Sequence, residues 1–196
     1  MGADPKSLKR TRGGRERLLA AAADLFGAHS LAGTSLQMIA DRLGVSKPAI
    51  YHHFRSRDEI VATLMQPVVD DARTALDRID LCDTPEERSR AAREFYIDFV
   101  ITHRQVINMV FFDRASLPGD LPSVVDSLVD RLAKEFADGE TGRPEATAVV
   151  YGAAAVTAHT PDRSDDALRD DLERILDLLR GRGTASRRPT TAQTAS

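Results

Sequence analysis

Apolar residues recur at intervals of three and four along almost the whole chain, and no alternating Val/Ile/Thr segment reaches the length of a strand. The pattern predicts an all-α fold of about nine helices. A first helix over about 15–29 presents Leu18, Leu19, Ala22, Leu25 and Phe26 as one core-facing stripe. Ser35 is placed to cap a short second helix that turns Leu36, Ile39, Ala40 and Leu43 inward and stops at Gly44. Ser46 is placed to cap a third, ending near 53–54, with Pro48 in its first turn, where a missing N–H costs little, and Ile50 and Phe54 toward the core.

A longer helix is predicted over about 57–79, with a kink at Pro67, where one main-chain hydrogen bond is lost. Thr84-Pro85-Glu86-Glu87 has the form of a capping box with proline at the first helical position, opening a helix that reaches about 103. Shorter helices follow at about 104–112 and, after the Pro118-Gly119 break, at about 121–137. Pro144 opens a helix over 144–159, and Ser164 and Gly181 bracket a last one over 165–180. Residues 1–13 and 181–196 are polar and cannot bury an apolar face, so they are expected to be a disordered arm and tail. The chain thus divides into a three-helix unit over 14–56 and a larger helical body over 57–180.

Charge sharpens this division. Residues 1–60 carry ten Lys and Arg against six Asp and Glu, a net +4, while the remainder carries 17 against 24, a net −7. A basic N-terminal unit on an acidic body is the asymmetry expected when one end meets phosphates and the rest does not. No apolar run approaches the roughly 20 residues that cross a bilayer, the N-terminus lacks the apolar core of a secretory signal, and the lone Cys82 has no disulfide partner. A cytoplasmic location is expected.

Two short helices meeting at Gly44-Val45 and packed on a third have the sequence form of a helix-turn-helix, whose second helix lies in the DNA major groove. Gly44 supplies the left-handed turn and Val45 an apolar plug between the helices. Lys47, Ala49, Tyr51 and His52 are expected on the outward side of the third helix, Ala49 being small enough to approach a base edge or thymine methyl.

The segment Thr34-Ser35-Leu36-Gln37-Met38-Ile39-Ala40-Asp41-Arg42-Leu43-Gly44-Val45-Ser46-Lys47-Pro48-Ala49-Ile50-Tyr51-His52-His53-Phe54-Arg55-Ser56-Arg57 resembles the DNA-binding signature of the TetR family of repressors. The likeness lies in the polar pair opening the second helix, the Ile-Ala step, Gly-Val-Ser at the turn, the Tyr-X-His-Phe end of the third helix and a basic residue opening the fourth. It covers residues 15 to about 60 by motif and the rest by helix count and length. The resemblance implies that Thr34, Tyr51 and Arg57 contact phosphate and that Gln37, Lys47, Ala49 and His52 face bases or backbone. Ser35, Ser46 and Pro48 belong to the same expected DNA-binding surface. Arg57 stands where the family more often has Lys, and Pro48 where Gly is frequent. The implied function is a homodimeric repressor released from an inverted-repeat operator by a small-molecule effector. An activator of the same fold remains open, since activation depends on where the operator lies, and so does a DNA-binding protein without an effector.

For the body, the resemblance implies an effector site enclosed by helices 4 to 7 and a dimer formed by the last two. Phe95, Tyr96, Phe99, Phe111 and Phe112 fall within 18 positions, with Met65, His103, Met109 and Arg114 as candidate neighbours, a composition that suits either a small-molecule cavity or an ordinary core. Leu168, Leu172, Ile175 and Leu179 repeat by four, three and four, and Leu176 widens that surface. Val149, Val150, Ala153, Ala154 and Thr157 offer a small-residue face on the preceding helix. Together these suit a four-helix dimer interface or the completion of a monomer core.

No catalytic constellation accompanies these features: there is no Gly-rich phosphate loop, HExxH or GxSxG. His52 and His53, adjacent on a helix, point about 100° apart and cannot share a metal. No enzyme activity, metal or cofactor is expected.

Overall fold

In a computed structural model, described over residues 12–137, 143–160 and 162–183, the chain forms α1 (Arg12–Gly33), α2 (Leu36–Leu43), α3 (Lys47–Tyr51), α4 (Arg57–Ile79) and α5 (Pro85–Thr102). There follow α6 (Arg104–Phe112), a 3-10 turn (Arg114–Ser116), α7 (Leu121–Phe136), α8 (Arg143–His159) and α9 (Asp165–Gly183). Among the described residues there is no strand. Several starts are set by side-chain acceptors for the first free N–H groups. The Ser35 hydroxyl accepts from the Met38 N–H at 3.2 Å and the Ser56 hydroxyl from the Glu59 N–H at 3.1 Å. Thr84 and Glu87 form the reciprocal capping box, at 3.2 and 3.1 Å.

The departures from expectation have local reasons. Helix α1 starts at Arg12, so the last two residues of the expected arm are helical, and it reaches Gly33 across a break at Ser30 (φ 65°, ψ 167°). That is the one non-glycine residue with positive φ among those described, a conformation costing about 1–3 kcal/mol. Helix α4 continues through Pro67 as one element; this residue lies on the exposed side, where the freed carbonyl can bind water. Helix α9 passes Gly181, because a lone glycine costs a helix only about 1 kcal/mol and does not end it. The expected tail therefore begins inside α9, and the rest of it, like the arm before Arg12, lies outside the described residues.

Two apolar clusters organise the molecule. The first joins Leu18, Phe26, Ile39, Ile50 and Phe54 of α1–α3 to Ile60 and Val61 of α4, and also takes in Met109 of α6 and Leu117. The second unites Leu76, Tyr96, Val100, Leu132, Val150 and Leu172 from α4, α5, α7, α8 and α9. Where α4, α5 and α7 meet, Arg88 forms a two-pronged ion pair with Glu135 (3.0 and 2.7 Å) and also reaches Asp80 (2.9 Å), which Arg131 approaches at 2.8 Å. The Arg131 and Arg88 hydrogen bonds hold the Asp80 carboxyl below the usual carboxylate range.

Helix α2 closes with Gly44 at φ 66°. The Gly44 N–H donates to the Asp41 carbonyl (3.1 Å) and the Val45 N–H to that of Ala40 (3.0 Å), which sets the angle between α2 and α3. A Cβ on Gly44 would meet no atom within 4 Å, so conformation and not space requires glycine here. Gly44→Ala is expected to lower unfolding free energy by about 1 kcal/mol and Gly44→Asn by less, since Asn tolerates the left-handed region; urea unfolding of the two variants checks the order.

Candidate nucleic-acid interface and internal chamber

The α2–α3 unit turns one face to its core and one to solvent. Ile39 and Ile50 are fully buried, while Gln37, Ser46, Lys47, Pro48, Tyr51 and His52 are exposed. Tyr51 is 49% exposed and is, with Leu81, one of two large apolar side chains so exposed among the described residues. The Ser46 hydroxyl makes no capping bond to α3, and Gln37 donates from its amide nitrogen to Asp41 at 2.7 Å. These side chains place a cation, a phenol, an imidazole, a hydroxyl and an amide on one surface, donors suited to phosphate and base edges.

Three expected contacts are placed otherwise. Ala49 is 6% exposed and packs inward next to Ile50, so the small residue of α3 belongs to the core side and not to the outward face. Thr34 is 3% exposed, and its hydroxyl donates to the Ser30 carbonyl (2.8 Å) and lies 3.2 Å from that of Leu25, tying down the broken end of α1. Arg57 is turned toward α1, donating to the Leu31 carbonyl at 2.8 Å and pairing with Asp58 at 3.4 Å. Ser35 stays exposed as the α2 cap.

Within the body lies a chamber of about 120 Å³ lined by α4–α8. Of the expected pocket residues, Met65, Phe95, Tyr96 and Phe99 line it. Met109 lies instead in the cluster shared with α1, and His103 in a groove on the outer side of α4 and α5. Arg114 touches the chamber indirectly, donating to the hydroxyl of the lining Tyr151 at 3.1 Å and to the Pro122 carbonyl at 2.8 Å. The side chains of Phe111, Phe112 and Leu179 lie outside the described part. Lining residues that the aromatic count missed are the aliphatic ones of α6 and α7, among them Val106, Ile107, Val110 and Leu128, and Tyr151 of α8. Aliphatic side chains carry no chemical flag, and only their shared periodicity hinted at a buried face.

The chamber wall is almost entirely hydrocarbon. The Tyr96 hydroxyl donates to the Val150 carbonyl at 2.5 Å, and burial raises its phenol well above the ordinary value. Both lining phenols are therefore already hydrogen-bonded. A dry apolar cavity of similar size admits benzene-sized hydrocarbons, and this one has nothing to offer a charge.

The expected dimer-forming residues divide differently from the repeat pattern. Val150, Ala153, Thr157, Leu168, Leu172 and Leu176 are buried within the single chain, and Val149, Ala154 and Ile175 are half-buried. The Leu repeat of α9 thus completes the monomer core, because α9 packs on α5 and α8. The opposite face of α8 presents Ala148 and Gly152, both exposed, and half-buried Ala155.

Chamber and α1 are joined by α6. Its Val106, Ile107 and Val110 line the chamber, and Val106, Met109 and Val110 also belong to the cluster containing α1. Gln105 donates to Asp24 of α1 at 2.7 Å. Asp113, immediately after α6, accepts the Ala32 N–H at 2.8 Å and the Ser116 hydroxyl at 2.5 Å. The Ser116 bond first, and then the backbone N–H groups of Ala32 and Leu31, hold its carboxyl below the usual range.

Comparison with known proteins agrees with this geometry. Residues 18–64 match the model of the family described as bacterial regulatory proteins, tetR family. The chain is 35% identical over 99 residues to the HTH-type transcriptional activator FasR of Mycolicibacterium smegmatis, covering 50% of this chain and 45% of that protein. It is 30% identical over 110 residues to the HTH-type transcriptional repressor KstR2 of the same organism, covering 55% and 53%. The chain therefore matches about half the length of these curated relatives. A TetR-like transcriptional regulator from Rhodococcus sp. RHA1 superposes with a TM-score of 0.62 at 28% identity, covering 90% of this chain and 98% of that one. The N-terminal helix-turn-helix is thus similar to that of the tetR family, and the likeness in fold to a TetR-like regulator extends through the body.

Proposed function

We propose that this protein is a sequence-specific DNA-binding transcriptional regulator, acting in the cytoplasm as a homodimer and not as an enzyme. On this reading it is a repressor that leaves an inverted-repeat operator when a small molecule fills the chamber. The observation that carries it is the α3 surface, where Lys47, Tyr51 and His52 are exposed on a helix anchored from behind by Ile50. An activator is the second reading, favoured by the 35% identity to FasR. The two differ in where the operator lies relative to the promoter. Among the described residues no group of three or more His, Cys, Asp and Glu could hold a metal, and no helix is long and apolar enough to cross a membrane.

DNA recognition separates by residue. With an operator selected from random duplexes, Lys47→Ala is expected to cost about 1–3 kcal/mol and to relax preference at one position in each half-site. Arg57→Ala should chiefly lower unfolding free energy, because its guanidinium is committed to Leu31. Binding titrations against single-base operator variants, with urea unfolding beside them, check both; a uniform loss across the panel for Lys47→Ala would reassign that residue to phosphate.

The face of α8 formed by exposed Ala148 and Gly152 and half-buried Ala155 supports close helix approach in the dimer. A Cβ on Gly152 meets nothing within 4 Å in the single chain, so Gly152→Arg leaves the monomer intact and obstructs its partner. Sedimentation should show a folded monomer with weakened operator binding, whereas Leu172→Asp should unfold the chain. A dimeric Gly152→Arg protein would move the interface elsewhere.

Asp113 supports a mechanical route from chamber to DNA-binding unit, since it holds the strained end of α1 from the end of a chamber-lining helix. Asp113→Ala is expected to speed amide exchange at Ala32 by about tenfold or more and to change operator affinity, while Asp113→Asn keeps an acceptor and much of the wild-type behaviour. Because the carboxyl is held low, the contact is complete above about pH 4, the unfolded value, and is lost as pH falls through the folded one. Operator affinity unchanged in Asp113→Ala would remove this route.

A further inference from the structure

Among the described residues, the chamber and the outer groove between α4 and α5 have two lining residues in common, Phe95 and Phe99. Their rings lie 5.1 Å apart, tilted by 41°, and both residues are half-buried. On α5, Tyr96 and Val100 face the chamber while Glu94 and Asp98 face the groove, and on α4 the same division separates Ala72 and Leu76 from Asp71 and Arg78. Phe95 and Phe99 are therefore the described residues that border both spaces. At one end, the His103 ring packs on Phe99 at 5.0 Å and its Nε2 lies 2.9 Å from Asp71, so a single residue spans from α5 to α4 across the groove.

We propose that the effector is an amphipathic molecule: a compact hydrocarbon end occupies the chamber, and a polar segment passes between Phe95 and Phe99 and lies in the α4–α5 groove. This rests on reading the chamber as the effector site and adds which chemistry it takes. The chamber accepts only hydrocarbon, because its walls are apolar and its two phenols are engaged with Val150 and Arg114. Any polar part lies outside the apolar walls, and the groove is the space that shares Phe95 and Phe99 with the chamber. Its ionisable lining is Asp71, Glu94 and Asp98 against Arg78 and His103, with Asp71 held by His103 and Asp98 paired with Arg169 of α9. Three carboxylates face two permanent cations, Arg78 and Arg169, so the segment of ligand lying there is neutral or cationic, and a negative charge at that point is disfavoured.

Three probes with one tail and different heads test this on the full chain, with benzene as a headless control: hexylamine, 1-hexanol and hexanoate. Calorimetry at neutral pH and low salt should show benzene binding, competition between benzene and each hexyl compound, and hexylamine and hexanol at least about tenfold tighter than hexanoate. Glu94→Lys, on the exposed side of α5, should narrow or reverse that order, and Phe99→Trp should slow uptake of all four by bulking the wall. Benzene binding together with equal affinity for the three heads, or an order indifferent to Glu94→Lys, overturns the groove assignment while leaving the chamber reading intact. Failure of benzene and every hexyl probe to bind overturns both.

Discussion

Helix α6 contributes to two structures at once, and the arrangement of the molecule follows from that constraint. One side closes the apolar chamber with Val106, Ile107 and Val110, while Met109 and its neighbours enter the cluster that supports α1–α3. At its end Asp113 takes the Ala32 N–H, beyond the one non-glycine residue with positive φ among those described. A close-packed interior cannot change the volume on one side of such a helix without strain on the other. The α1–α3 unit and the body are thus packed as neighbours with a common wall, joined by more than the covalent passage into α4.

The junction at Ser30 shows how strain is held. Thr34 donates to the Ser30 carbonyl, Arg57 to that of Leu31, and Asp113 accepts from Ala32. Three polar side chains from three parts of the chain converge on three consecutive residues of backbone. Thr34 and Arg57 are therefore occupied in orienting α1 against α2 and α4, whereas Lys47, Tyr51 and His52 keep their polar groups for solvent or a partner.

The body follows a similar economy. The Leu repeat of α9 is spent inside the chain, leaving an outer surface of Arg169, Asp170, Glu173 and Asp177. Small residues of α8 line both of its faces, Ala146 and Ala153 inside and Ala148 and Gly152 outside, so α8 can pack closely in two directions. This is why a count of apolar residues on α8 and α9 could not say which face remained for a second copy.

From the sequence alone the order of the described helices, the starts at Ser35 and Thr84, the turn at Gly44-Val45 and the helix-turn-helix form of α2–α3 were legible. These depend on local rules: capping hydrogen bonds, the left-handed freedom of glycine and the 3.6-residue period act within a few residues of chain. The extension of α1 to Gly33, the inward packing of Ala49, the engagement of Thr34 and Arg57, and the place of His103 in the groove were not. Each is settled by which distant element lies opposite, and contacts such as Asp113 to Ala32, 81 residues apart, leave no periodic trace in the sequence. Periodicity marks that a face is buried, but only tertiary packing decides against what, and it is the convergence of α4–α8 that turns ordinary Val, Leu and Phe side chains into a chamber.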